Sequence, residues 1–347
     1  LKFDYLTKFR IIITKILIEI RDMKPNLITQ VVTFTLSLIL LSGTISCKNE
    51  TKKSEPVEAS AELFFDLSLA QWSLHKAIRS GAMSPYDFAK VASELGFKGL
   101  EYVNQLYPDV TKSEDKTAAI QTFVEKNNAL TKQYNLKNVL IMIDGEGDLS
   151  SSDEQERINA QENHKLWIDA AHQMGCTAIR LNLNGEKEEA LWIKNSIESL
   201  SILSEYAAPL NINVIVENHG GKSSNAKLLM QVINQVKFSN CGTLPDFGNF
   251  CMSEDWGSLK DNKCNAPYDP YLGVSEMLPK AFGMSAKSYE FDAQGDETIL
   301  DYYKMLSIVK KGGYTGFIGV EYEGDILPEK EGILATKRLL EKAAAKL

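Results

Sequence analysis

The chain has 347 residues, a formal net charge of −8 and five cysteines. This acidic balance argues against a nucleic-acid partner, because such proteins concentrate Lys and Arg to displace phosphate counterions. An acidic cleft suits cations or neutral ligands instead.

In chain order, residues 1–22 form a mixed basic and apolar run that fits no later pattern and is not expected in the native product. Met23 reads as a better start. Residues 23–46 then have the layout of an export signal, with Lys24 as the positive region, Leu27 to Leu41 as the apolar region and Leu41 to Ser46 as a small-residue exit. The apolar run falls short of the roughly 20 residues a membrane span needs. Ending at Cys47, the segment resembles a bacterial lipoprotein signal, in which the cysteine carries the lipid. The expected product is therefore exported, either periplasmic or a membrane-anchored lipoprotein, and meets the membrane only through that anchor. Residues 47–61 are polar, contain Pro56 and read as a tether.

Residues 62–347 show short apolar runs alternating with longer helical patterns at intervals of roughly 30 to 40 residues, the signature of repeated βα units. Eight strands are predicted: Leu67 to Trp72, Gly99 to Val103, Asn138 to Ile143, Ala178 to Asn182, Asn213 to Glu217, Cys241 to Asp246, Ala281 to Lys287 and Gly316 to Glu321. Helices are predicted over Ser84 to Leu95, opened by a serine cap and Pro85, and over Ser152 to Met174, opened by a serine and acidic run. A weak internal echo pairs Gly96 to Glu101 with Gly313 to Glu321. Eight βα units with right-handed crossovers close into a single (β/α)8 TIM barrel, and no glycine-rich phosphate turn points to nucleotide chemistry.

Three strands run out on a carboxylate: Val214-Ile215-Val216-Glu217-Asn218-His219, Thr243-Leu244-Pro245-Asp246-Phe247-Gly248-Asn249 and Gly319-Val320-Glu321. Parallel α/β folds bind ligands beyond the carboxyl ends of their strands, so the three share one expected pocket. Like charges that close raise one another's pKa unless a cation compensates. Two cations are available: a divalent metal (Mn, Co, Zn or Mg) held by Glu217, Asp246 and Glu321, or the ammonium of Lys287.

From Leu67 onward this order of motifs resembles the sugar phosphate isomerase/epimerase family of xylose-isomerase-like TIM barrels. The resemblance implies a divalent metal on Glu217, Asp246 and Glu321, with the two glutamates as the acid/base pair that moves a proton beside a carbonyl. It also implies a histidine on strand seven, where this chain has Ser285, a weak ligand whose presence should weaken metal binding. Glu217, Glu321 and Lys287 are the expected catalytic residues. The resemblance makes His219 a substrate-binding or supporting residue.

His75 lies just past strand one, where with Gln71 and Trp72 it would reach a sugar. Arg180 and Asn182, at the end of strand four, offer polar contacts, and Arg180 is equally placed to pair with a carboxylate of the cluster. The long segment Asn249 to Leu272, with Trp256, Tyr268 and Tyr271, reads as a lid, and Asn249 and Trp256 join the substrate-binding set. Cys251 and Cys264 flank this loop and could close it, whereas Cys176 and Cys241 read as buried thiols. His164 and His172 share one helix and read as structural or exposed.

The expected function is an isomerase/epimerase-like enzyme that abstracts a proton beside a carbonyl on a sugar or keto-sugar. The alternatives are a sugar lyase or hydratase using the same enolate, and a non-catalytic carbohydrate-binding lipoprotein. A zinc endonuclease on this type of barrel is disfavoured by the charge and by only four histidines. Oligomeric state is not legible.

Overall fold

The computed structural model describes residues 63–253, 256–260 and 263–347. The expected export signal, Cys47 and the whole expected tether lie outside the described residues. Among those described, no helix is long and apolar enough to cross a membrane.

Short, largely buried runs form eight parallel strands: β1 Asp66–Ala70, β2 Gly99–Val103, β3 Lys137–Met142, β4 Ala178–Leu181, β5 Asn213–Glu217, β6 Cys241–Leu244, β7 Ser285–Ser288 and β8 Phe317–Tyr322. Their order is β6-β5-β4-β3-β2-β1-β8-β7. β6 and β7 meet through isolated bridges, Thr243 with Ala281 and Asp246 with Ser285, which close the ring. The eight-stranded TIM barrel is therefore as the sequence predicts.

Three strand boundaries differ from expectation by two residues or more, and the others by at most one. β1 stops at Ala70 because the Gln71 side chain takes over the edge, accepting the Val103 N–H at 3.1 Å, while Gln71–Leu74 turns into a 3-10 helix. β6 stops at Leu244 because Pro245 has no N–H to donate to a ladder. For the same reason the partner segment from Ala281 pairs only intermittently, and β7 begins at Ser285.

The principal helices pack around the ring: Phe88–Glu94, Lys116–Tyr134, Glu154–Gln173, Glu189–Ala207, Ala226–Ile233, Pro270–Met277, Tyr302–Lys311 and Glu329–Ala344. The stretch predicted as one helix from Ser84 opens with a 3-10 turn over Pro85–Asp87, in which Ser84 and Asp87 form a reciprocal capping box. Asp153, not Ser152, caps the helix Glu154–Gln173, accepting the N–H groups of Gln155 and Glu156. Trp167 and Trp192 are fully buried in the layer between helices and strands.

Inside the ring, Leu140, Ile215 and Leu244 converge on Gly283. A carboxyl shares this interior: Glu101 of β2, 1% exposed, accepts a 2.5 Å hydrogen bond from the equally buried Ser68. Gly319 gives it room, since a Cβ there would lie 2.3 Å from Glu101 Oε2.

Candidate active site at the carboxyl ends of the strands

Glu217 ends β5, Asp246 lies just past β6, and Glu321 stands in β8. Their carboxylate oxygens come within 4.8 Å of one another, and all three residues are buried. Strand periodicity puts Ser285 and Lys287, two apart in β7, on the same face as this trio.

Each carboxylate has its own support. Asp246 Oδ1 accepts the backbone N–H groups of Gly248 and Asn249 at 2.8 and 2.7 Å. The Asn218 amide bridges the backbone around it, accepting the Asp246 N–H and donating to the carbonyls of Asp246 and Asn249. Glu217 Oε1 accepts from Asn249 Nδ2 at 3.1 Å. Its Oε2 lies 2.8 Å from Arg180 Nε, an ion pair without hydrogen-bond alignment. Glu321 is fully engaged: Lys287 donates to Oε1 at 2.7 Å and Ser285 to Oε2 at 2.9 Å. The Lys287 ammonium also lies 3.3 Å from Glu323 and 4.0 Å from Asp246.

Burial pushes the Glu217 carboxyl up to about 7, with Arg180 holding it down and Glu321 pushing it further up. Burial likewise drives Asp246 well above the carboxylate range. For Glu321 the burial penalty is outweighed by the Lys287 ammonium, and its carboxyl falls below its ordinary value. Lys287, despite burial, is held well above the usual ammonium value by Glu321, Glu323 and Asp246. Burial together with Arg180 lowers His219 to about 4.

The trio passes a test of fit for a divalent cation. Glu217 Oε2 and Asp246 Oδ2 are buried without a hydrogen-bond partner, and an all-carboxylate donor set suits a hard ion such as Mg or Mn. Ser285 is not turned to that task, because its hydroxyl is spent on Glu321.

Above the trio opens a cavity of about 480 Å³. Its lining includes five of the sequence-predicted residues around the mouth: His75, Arg180, His219, Asn249 and Trp256. Lys287 and Glu321 also line it, while Glu217 and Asp246 stand behind them. His75 stacks on Trp72, with ring centroids 4.6 Å apart and planes at 11°. Arg180 takes both roles anticipated for it, lining the cavity and pairing with Glu217. Asn182 donates to Asp144. Tyr268 and Tyr271 do not line the cavity; they bond Glu276 and the Asp301 N–H instead. Cys251 and Cys264 form a disulfide across the loop, and Cys176 and Cys241 are free and buried. His164 is buried on the Ala160 carbonyl and His172 bonds the Leu210 carbonyl, so both are structural.

Sequence reasoning missed Asp144, just past β3. It accepts from Arg180 and Asn182 at 2.8 Å each and from Gln105 at 3.0 Å, and so anchors the guanidinium that faces Glu217. An aspartate directly after a predicted strand was the available signal. Glu323 was also missed as a partner of Lys287.

The model of the xylose isomerase-like TIM barrel family matches residues 89–343. No curated protein sequence matches the chain. Among solved structures, 3-keto-D-glucoside 4-epimerase from E. coli is 12% identical with a TM-score of 0.58, over 75% of this chain and 94% of that one. D-allulose 3-epimerase from Methylomonas sp. is 12% identical with a TM-score of 0.59, over 80% and 98%. The IOLI protein with a bound zinc atom is 14% identical with a TM-score of 0.56, over 81% and 99%. At these identities the likeness to each structure is one of fold, while the family model spans most of the barrel. The chain belongs to the xylose isomerase-like TIM barrel family.

Proposed function

We propose that this protein is a sugar isomerase or epimerase that abstracts a proton beside the carbonyl of a keto-sugar. The observation that carries this reading is the pairing of Glu217 and Glu321, from β5 and β8, with the buried Lys287 ammonium at the floor of one cavity. Two carboxylates within reach of one carbon can serve as base and conjugate acid. The C–H bond breaks, its proton passes to one carboxylate, and the electron pair moves to the carbonyl oxygen as an enolate. Return of a proton to the opposite face gives the epimer; return to the neighbouring carbon of an enediol gives the isomer.

The negative charge that develops on oxygen needs a fixed positive partner. Lys287 stands beside the trio, its charge held by Glu321 and Glu323. A divalent ion held by Glu217, Asp246 and Glu321 would supply Lewis-acid polarisation of the carbonyl when bound. Arg180, fixed by Asp144, keeps Glu217 in place, and Asn249 orients its other oxygen. Where a substrate carries a leaving group β to the carbonyl, the same enolate would eliminate it, which is the lyase reading.

The E. coli neighbour named for a 3-keto-D-glucoside suggests the probe. Methyl 3-keto-β-D-glucoside incubated with the full chain in deuterium oxide should exchange hydrogen at a carbon beside the ketone, read by NMR. Exchange should fall at least a hundredfold in Glu217→Gln and in Glu321→Gln, the scale of a lost general base. Exchange no faster than in buffer, or unchanged in both variants, would sink the proposal.

A further inference from the structure

The cavity is larger than its chemistry needs. Arg180, Asn249, Lys287 and Glu321 bring the reacting floor to its surface, whereas Trp72, His75, Lys76, Arg79, Trp256 and Lys260 line an outer part. At about 480 Å³ it falls in the range of roughly 300 to 1,000 Å³ that encloses drug-sized ligands, more than one pyranose fills.

Trp256 is the distinctive member of this outer part. Trp167 and Trp192 are buried, but Trp256 is 66% exposed and lines the cavity. Among the described residues its ring has one aromatic neighbour, His219, which meets it edge-on at 5.6 Å and 78°. The backbone on either side of it is nevertheless held. The Cys251–Cys264 disulfide closes its loop, and the Cys251 N–H bonds the Gly257 carbonyl at 2.8 Å. Gly257 takes φ +74° and packs so closely that a Cβ there would lie 2.4 Å from the Gly220 N, so the residue after Trp256 has to be glycine.

Polar donors complete the rim. Lys76 donates to Asp325 and the Gly324 carbonyl, and Lys260 to Asp325 and the Glu323 carbonyl, which leaves one ammonium hydrogen on each. The Arg79 guanidinium lies over Trp72 at 4.6 Å and donates to Gln105, with no carboxylate partner among the described residues. An exposed indole beside unspent donors is the chemistry that recognises a sugar, whose C–H face is apolar and whose edge is hydroxylated.

We propose that the outer cavity is a second sugar subsite, with Trp256 stacking on the ring linked to the reacting keto-sugar, so that the substrate is a glycoside of at least two rings. This inference rests on the keto-sugar reading of the floor. The rim selects by stacking and hydroxyl contacts, while the floor performs the proton transfer.

The test compares methyl 3-keto-β-D-glucoside with 3-keto-cellobiose by calorimetry, using the full chain and its Trp256→Ala and Trp256→Phe variants. The parent should bind the two-ring probe at least tenfold more tightly. Trp256→Ala should abolish that advantage, costing the two-ring probe about tenfold more affinity than the one-ring probe, and Trp256→Phe should restore most of it. Equal affinity for the two probes in the parent, or equal losses for both in Trp256→Ala, would overturn the subsite. Deuterium exchange on the one-ring probe reports on the floor separately. An active floor with no two-ring preference refutes the subsite alone, whereas no binding and no exchange with either probe refutes both.

Discussion

Glu101 sets a pH limit on the stability of the barrel. It is 1% exposed, its single hydrogen bond comes from Ser68, and Oε2 has no partner. Burial raises its carboxyl from 4.5 to about 8, the Ser68 bond opposing and the charges of Glu321 and Glu217 adding to the rise. The folded protein thus keeps a proton that the unfolded chain releases above pH 4.5. The associated stability is fully present below that value and is lost as pH rises to about 8. At about 1.4 kcal/mol per pH unit, the window is worth up to roughly 5 kcal/mol. Glu101→Gln keeps the shape and removes the titration. Between about pH 5 and pH 8.5 its melting temperature should gain roughly 10 °C on the parent's, at about 2 °C per kcal/mol for a domain of this size. Differential scanning calorimetry across that range is the assay. Parallel melting curves for parent and variant would show that Glu101 is not the protonated group, and the reasoning would fail.

Two further outcomes follow from the floor of the cavity. Arg180→Met leaves the buried Glu217 and the part-buried Asp144 without their cation, and should cost roughly 3 to 5 kcal/mol in urea unfolding. Arg180→Lys should recover only part of this, since one ammonium cannot face both partners as the guanidinium does; full recovery would show that the fork geometry is irrelevant. Elemental analysis after loading with manganese or magnesium should find about one equivalent in the full chain, with uptake lost in Glu217→Gln and Asp246→Asn. No uptake by the parent would remove the divalent ion and leave Lys287 as the cation of the site.

The barrel was legible because its signal is periodic: eight apolar runs at regular spacing admit few closures, and every strand lies within a few residues of its predicted place. The boundary errors trace to single side chains. Gln71 ends β1 by bonding a neighbouring strand's N–H, and Pro245 breaks the β6 ladder, neither of which a hydropathy pattern records. The cluster of Glu217, Asp246 and Glu321 was legible because each follows an apolar strand at the same end. Asp144 obeys the same rule after β3 yet was passed over, since no motif drew attention to it. Glu101 was hidden for another reason. It lies within a strand rather than at its end, and only the closed ring brings it beside Ser68 and the missing side chain of Gly319.

Ser285 shows what sequence reasoning cannot supply even where it finds the right position. Read alone, it is a lost metal ligand and counts against the site. In place, it and Lys287 are alternate residues of one strand, both turned inward, and each takes one oxygen of Glu321. The substitution therefore does not leave a gap; it belongs to a set in which β7 contributes a hydroxyl and an ammonium to the same carboxylate. That set orients Glu321 and keeps it ionised, whatever else binds beside it. A metal ion arriving at the trio would find Glu217 Oε2 and Asp246 Oδ2 without hydrogen bonds, the first beside Arg180, and would have to share Glu321 with Lys287. The question for this candidate site is thus one of competition between an ammonium already in place and a divalent ion, and Glu321 Oε1, which Lys287 holds, is where that competition is decided.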